Sequence, residues 1–153
     1  MNSDSFYVHL LSNGSKEEFP QNTNSSFTNL LSKPLELGDG WEVALNEIIY
    51  PKPSTSDTKM MLIYIDIIRE QFVGDGFSNL LKVTSLSIEA GHNEFENLCY
   101  YNLRLQTIPS ISIRITDETG KEIPFDSTKN ICLNLHFRLS YIRLHKLKSS
   151  IKK

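Results

Sequence analysis

The chain lacks nearly everything that would mark a stapled, metal-loaded or membrane-spanning protein. Two cysteines occur in 153 residues, Cys99 and Cys132, with no CxxC pair and no Cys/His spacing of a zinc site. Each lies in an apolar, strand-like run, where a cysteine serves best as a small buried hydrophobe. The sequence leaves open whether the two are bonded, since strands distant in sequence can be neighbours in a sandwich. No apolar run approaches the length of a membrane helix, so no membrane insertion is expected. The opening Met1-Asn2-Ser3-Asp4-Ser5 has neither the basic nor the apolar region of a secretory signal. Synthesis inside a cell under reducing conditions is therefore the expectation. The sequons Asn13-Gly14-Ser15 and Asn24-Ser25-Ser26 then read as accidental.

A strong excess of charge is missing too. The formal net charge is −2, which excludes the chain as a whole from the class of polyanion binders. The average conceals an asymmetry. From Arg138 onward come Arg143, Lys146, Lys148, Lys152 and Lys153 without one acid, whereas Glu17, Glu18, Glu36, Asp39, Glu42 and Glu47 lie upstream. A basic tail over residues 144–153 on a slightly acidic body over 1–143 has two readings. It is a solvated, frayed terminus, or it is an arm through which Arg143, Lys146, Lys148, Lys152 and Lys153 contact nucleic acid or a partner.

Catalytic constellations do not assemble. The four histidines, His9, His92, His136 and His145, have no nucleophile-and-acid context, and there is no GxSxG elbow. His92-Asn93-Glu94 with Glu96 is the nearest approach to a ligand cluster, without the His-x-His of a metal-binding cupin. Gly74-Asp75-Gly76 and Asp117-Glu118-Thr119-Gly120 lack the alternating oxygen ligands of a calcium loop and read as turns. No phosphate-cradling glycine motif occurs. The expectation is a non-enzyme with no catalytic residue, no cofactor and no metal. Tyr7, Tyr50, Tyr64, Tyr100 and Tyr101 would suit a stacking platform if basic residues were interleaved with them, and few are. A core or interface role fits them better.

What is present is a two-residue rhythm. Phe6, Val8 and Leu10 alternate with Tyr7 and His9; Trp41, Val43 and Leu45 with Glu42, Ala44 and Asn46. Ile111, Ile113 and Ile115 alternate with Ser112, Arg114 and Thr116, and Ile131 to Tyr141 alternates throughout, with His136 on the polar side as His9 is. Successive strand side chains point to opposite faces, so each segment has one dry face. Met60–Ile68 is apolar on both faces except at Asp66, which needs a partner such as Arg69, Arg104 or Arg114, or an exposed edge. Leu81–Ile88, Cys99–Leu105 and Ile123–Phe125 complete the set, with Pro109 separating two strands. Gly38-Asp39-Gly40, Gly74-Asp75-Gly76, Gly91 and Thr119-Gly120 supply the breaks. Ser25–Leu31 reads equally as a helical turn or a strand. About eight short antiparallel strands predict an all-β sandwich. The Asn- and Ser-rich spacer from Asn13 to Ser26 suggests a jelly-roll crossing.

Several blocks together resemble a known family. They are Phe6–Asn13, Phe19-Pro20-Gln21-Asn22-Thr23 with Phe27-Thr28, Trp41–Pro51, and Tyr64-Ile65-Asp66-Ile67-Ile68 with Gln71–Asp75; then come Asp117–Gly120 leading to Pro124-Phe125, and Leu133–Phe137. In this order they are similar to the minor capsid, penton-like proteins of Maverick/Polinton elements and adintovirus-like viruses. The resemblance implies a single jelly roll, present in the virion and made in the host cytoplasm or nucleus. It implies a pentamer plugging the fivefold vertices of an icosahedral shell beside the major capsid protein, with no catalytic residues. The basic tail would then face packaged nucleic acid. The alternative is a jelly-roll or TNF-like module that recognises a glycan or receptor, favoured by a concave face rich in exposed Tyr, Asn and Arg.

Overall fold

The computed structural model describes residues 4–55 and 57–151, without the side chains of 141–144. Eight strands build the body: β1 (Ser5–Leu11), β2 (Ser26–Glu36), β3 (Trp41–Tyr50), β4 (Met60–Ile65), β7 (Leu80–Ser85), β8 (Gly91–Glu94), β10 (Thr107–Thr116) and β11 (Cys132–Leu139). A hairpin of β5 (Gln71–Val73) and β6 (Gly76–Ser78), the short β9 (Tyr101–Asn102) and a terminal helix α1 (Tyr141–Ile151) are added to them. One sheet runs β1-β11-β3-β8, with β9 also on β3; the other runs β2-β10-β4-β7. All pairings are antiparallel. Among the eight body strands the chain changes sheet at every step except β4 to β7. Two facing sheets wound in this way are a jelly roll.

The alternation read from the sequence sets what lies between the sheets. Leu10, Val43, Leu45, Ile48, Leu133, Leu135 and Phe137 come from the first sheet; Phe27, Met61, Ile63, Ile65, Leu81, Ile108, Ile111, Ile113 and Ile115 come from the second. β3 keeps both Leu45 and Ile48 inside, three residues apart, because its register against β11 slips by one between them. The extra residue is a β-bulge at Asn46, which resets which face points inward. Phe6 stacks on Phe137 at 5.0 Å and leans on Trp41 at 5.4 Å, closing the end of the sandwich where β3 begins. A polar clasp joins the sheets elsewhere: Asn29 on β2 accepts from Leu11 N (3.0 Å) and donates to Leu11 O (2.8 Å) on β1. A buried amide with both ends bonded to backbone costs little and fixes the distance between sheets.

The structure corrects several sequence expectations. Pro109 does not separate two strands but lies inside β10, where the register against β2 jumps between Ile108 and Ser110. At that point β10 has no partner on its other flank, since pairing with β4 starts only at Ile113, so the missing N–H is not needed. Tyr141 does not extend β11. Arg138 and Leu139 pair with Ser5 and Trp41, the first residues of β1 and β3, so both ladders end there. The chain after Ser140, with Leu, Lys and Arg among its residues, coils into α1. Leu81–Ile88 and Cys99–Leu105 shorten to β7 and β9, and Ile123–Phe125 is irregular chain that buries Ile123 and Phe125, with one bridge from Phe125 to Pro53. Cys99 is exposed and Cys132 half-buried; both are free thiols, and Cys99 is not the buried hydrophobe expected of it. Ser25–Leu31 resolves to strand, and the hairpin β5–β6 was not anticipated.

Asp66 follows the last residue of β4 and finds a backbone partner instead of a salt bridge. Its Oδ1 accepts from Ser112 N at 2.9 Å, and Arg104 Nε donates to the Asp66 carbonyl at 2.5 Å. Burial pushes its carboxyl above the ordinary range, against the opposing pull of the Ser112 N–H and Arg104. The folded state thus holds this proton more tightly than the unfolded chain does. Its contribution to stability is fully present below the ordinary carboxylate pKa and is lost as pH rises through the folded value. Asp66→Asn keeps the acceptor without the charge, so its urea midpoint relative to wild type is expected to improve from acid to neutral pH. A relative midpoint that worsens over that range contradicts the assignment. Gly91 has a different constraint: a Cβ there would run into the phenol end of Tyr50, whose Oη accepts from Ser87 N at 3.0 Å. Gly91→Ala is expected to cost about 1–3 kcal/mol by overpacking a buried ring, measured by urea unfolding; an unchanged midpoint would show that Tyr50 is free to move.

Candidate assembly surfaces

The outer face of the β1-β11-β3-β8 sheet carries the polar half of the alternation. Cross-strand register lines it up in rows: Ser5, Arg138 and Glu42; Tyr7, His136 and Ala44; His9, Asn134 and Glu47 with Glu94; Leu11, Cys132 and Ile49 with His92. In the first two rows the side chains lock together. The Tyr7 and His136 rings are 4.6 Å apart, Tyr100 Oη lies 2.6 Å from His136 Nδ1, and the Arg138 guanidinium stacks 3.4 Å over the Tyr100 ring. Arg138 Nε then donates to Glu42 Oε1 at 2.7 Å. Burial, with Arg138 beside it, holds the His136 pKa below the ordinary imidazole value. Such a neutral ring accepts the Tyr100 O–H at Nδ1.

The third and fourth rows are joined by Glu47 Oε2 and His92 Nε2 at 2.8 Å, and that bond draws the Glu47 pKa down. Leu11 and Ile49 stand exposed on either side of Cys132. This face therefore offers rigid Tyr and Arg groups beside an apolar row, a composition enriched in protein interfaces. Tyr7, His136 and Arg138 were legible as polar-face residues, but their grouping with Tyr100 depends on register that no single strand encodes.

The second sheet's outer face forms an open groove of about 690 Å³, bordered by Phe19, Asn22, Tyr64, Asp66, Asn79 and Arg114 among others. It is the concave Tyr-, Asn- and Arg-bearing face that a glycan or receptor module would show. Several of its polar groups are bonded within the chain, although Ser78 Oγ, which also lines the groove, has no partner among the described residues. Asn22 binds the backbone of Thr28 and Gly14, Asn79 binds Ile65 O, and Thr28 and Ser112 share a hydroxyl bond of 2.7 Å. Arg114 reaches Gly120 O and Glu122. A ligand that used Asn22, Asn79 or Arg114 would have to displace these bonds.

Two elements project from the body. On the β5–β6 hairpin, Phe72 and Phe77 face each other at 4.4 Å between ring centroids and are 79% and 62% exposed. On α1, Lys146 and Lys148 are exposed, as are Leu147 and Ile151. Arg143 belongs to the first turn of the same helix, while Lys152 and Lys153 lie outside the described residues. The structure thus puts three of the five expected basic contact residues on one helix. Among the described residues no group of three or more His, Cys, Asp or Glu is placed to hold a metal ion, and no helix is long and apolar enough to cross a membrane.

No family model matches the chain, and no curated protein sequence matches it. Solved structures do. The mavirus penton protein superposes with a TM-score of 0.64 at 7% identity, over 88% of this chain and 99% of that one. The VP2 subviral particle of infectious bursal disease virus aligns at a TM-score of only 0.22 and 12% identity, over 89% of this chain and 38% of that one, and nothing is drawn from it. The chain therefore has, nearly from end to end, the single jelly-roll fold of the mavirus penton protein.

Proposed function

We propose that this chain is a structural protein of a virion, a penton-like minor capsid subunit. In this reading it assembles as a pentamer at the fivefold vertices of an icosahedral virus or Maverick/Polinton-type element, beside the major capsid protein. The observation that carries the reading is the two-way coverage of the mavirus penton match: almost all of both chains is used. The blocks from Phe6 to Phe137 that resemble this family support it independently, and so does the locked Tyr7–His136–Tyr100–Arg138 face, built for contact. Copies related by rotation around one axis make heterologous contacts that close into a ring, each burying on the order of 1,000 Å² or more.

The glycan- or receptor-binding alternative gains less, because Asn22, Asn79 and Arg114 of the groove are already bonded within the chain. Arg143, Lys146 and Lys148 on α1, with Lys152 and Lys153 beyond it, supply the acid-free positive charge that packaged nucleic acid would meet.

Light scattering on the purified chain tests the assembly. A particle five times the 17.5 kDa monomer is expected; a monomer or trimer that binds glycans would replace this reading with the alternative. Removal of residues 144–153 is expected to weaken binding to nucleic acid and to flatten its salt dependence. On duplex DNA the slope should fall by roughly 0.9 for each phosphate that the shortened chain leaves unneutralised. Identical salt slopes for both forms would remove the tail from that role.

A further inference from the structure

We infer that the β5–β6 hairpin of one copy docks on helix α1 of the next, so that these two projections form one heterologous contact of the ring. The inference rests on the vertex reading and adds to it the pair of surfaces that meet.

Both elements leave the sandwich at the same end. α1 begins just after Leu139, which pairs with Trp41, and Ser140 N donates to Gly40 O. The hairpin begins just after Ile68, which bridges Leu103, while Leu103 N donates to Trp41 O and Arg69 N to Asn102 O. Trp41 is thus the shared neighbour of both departure points. In a ring of copies related by rotation about an axis along the sandwich, elements at one end of each copy share one level. They therefore lie within reach of the neighbours' elements at that level.

The two surfaces are complementary in charge and in apolarity. Residues 69–78 carry Glu70 and Asp75 against one base, Arg69, at their start, while residues 141–151 carry Arg143, His145, Lys146 and Lys148 and no acid. The hairpin presents the Phe72–Phe77 ring pair. Leu147 and Ile151, four apart on one face of the helix, are 42% and 82% exposed, with Lys148 beside them. Within a single copy neither surface covers the other, since all four apolar side chains remain exposed. Aromatic rings on a short projecting hairpin are the type of group that dominates binding when a partner buries it, and an isolated two-stranded hairpin gains order from such burial. The acids at the hairpin and the bases on the helix steer the two together and fix which faces meet.

The test uses the full chain. Phe72→Ser with Phe77→Ser, and separately Leu147→Ser with Ile151→Ser, change only exposed positions, so both proteins are expected to melt within a few degrees of wild type. Each is expected to raise the concentration needed for ring assembly at least tenfold in mass photometry. A second measurement does not depend on the hairpin surviving the serine changes. Phe77→Cys and Leu147→Cys are made in separate chains lacking Cys99 and Cys132, mixed, and oxidised. Cross-linked dimers are expected from the mixture and not from either chain alone. Intact rings in both serine variants without the mixed cross-link overturn the inference and leave the vertex reading standing. Cross-links between two hairpins overturn it in favour of an isologous contact. Loss of nucleic-acid binding with unaltered rings in the helix variant assigns that face to nucleic acid instead. A wild-type chain that stays monomeric and gives no cross-link removes both readings together.

Discussion

The apolar layer between the two sheets is the constraint on which every other feature depends, and apart from the β4–β7 pair little of it is local. β1 pairs with β11, β11 with β3, β2 with β10, and β10 with β4, so each neighbouring pair joins distant parts of the chain. Because the chain crosses between sheets at almost every step, no strand can bury its dry face before its distant partner arrives. Loop closure must precede the reward of burial, which makes such a topology slow to form and cooperative once formed. The Asn29 clasp, the Phe6–Phe137–Trp41 stack and the bulge at Asn46 all act on this layer, by setting the sheet separation, sealing one end and correcting the phase of β3.

With the interior committed in this way, function is left to the surfaces, and they differ in kind. In the groove of the second sheet, Asn22, Asn79, Asp66 and Arg114 are held by bonds to their own chain. On the other sheet Tyr7, Tyr100, His136, Arg138 and Glu42 hold one another and present a rigid aromatic and cationic surface outward. The hairpin and the helix differ: Phe72 and Phe77 on the one, and Leu147 and Ile151 on the other, are exposed to water. Under the vertex reading proposed above, the locked side chains on one face and the exposed apolar groups on two projections are the surfaces that neighbouring copies would use.

Much of this could be read from the sequence, and the limits were physical. The inward sets of β1, β3, β10 and β11 followed from period two, and the glycines at 40, 74 and 120 that adopt positive φ sit in expected turns. Pro109 misled because a proline rule for paired strands was applied where β10 has a free flank. Tyr141 misled because Leu139 and Tyr141 continue the alternation past the point where β1 and β3 end, and ladder length belongs to the partners. Asp66 had its candidate arginines in view, yet the bond went to a backbone N–H whose position only the register fixes. The β5–β6 hairpin did leave a signal, Phe72 and Phe77 on either side of Gly74-Asp75-Gly76, but a tight turn alone does not say whether its flanks pair with each other or with the body. Cys99 had the neighbours of a strand residue and lies in exposed irregular chain.

Amide hydrogen exchange on the folded chain tests the central claim that one non-local apolar layer holds both sheets. The slowest amides are expected in β3, β4, β10 and β11 together, opening with the same free energy whichever sheet they belong to, while β5, β6 and α1 exchange far sooner. Two separate levels of protection, one for each sheet, or slow exchange confined to strands adjacent in sequence, would contradict it.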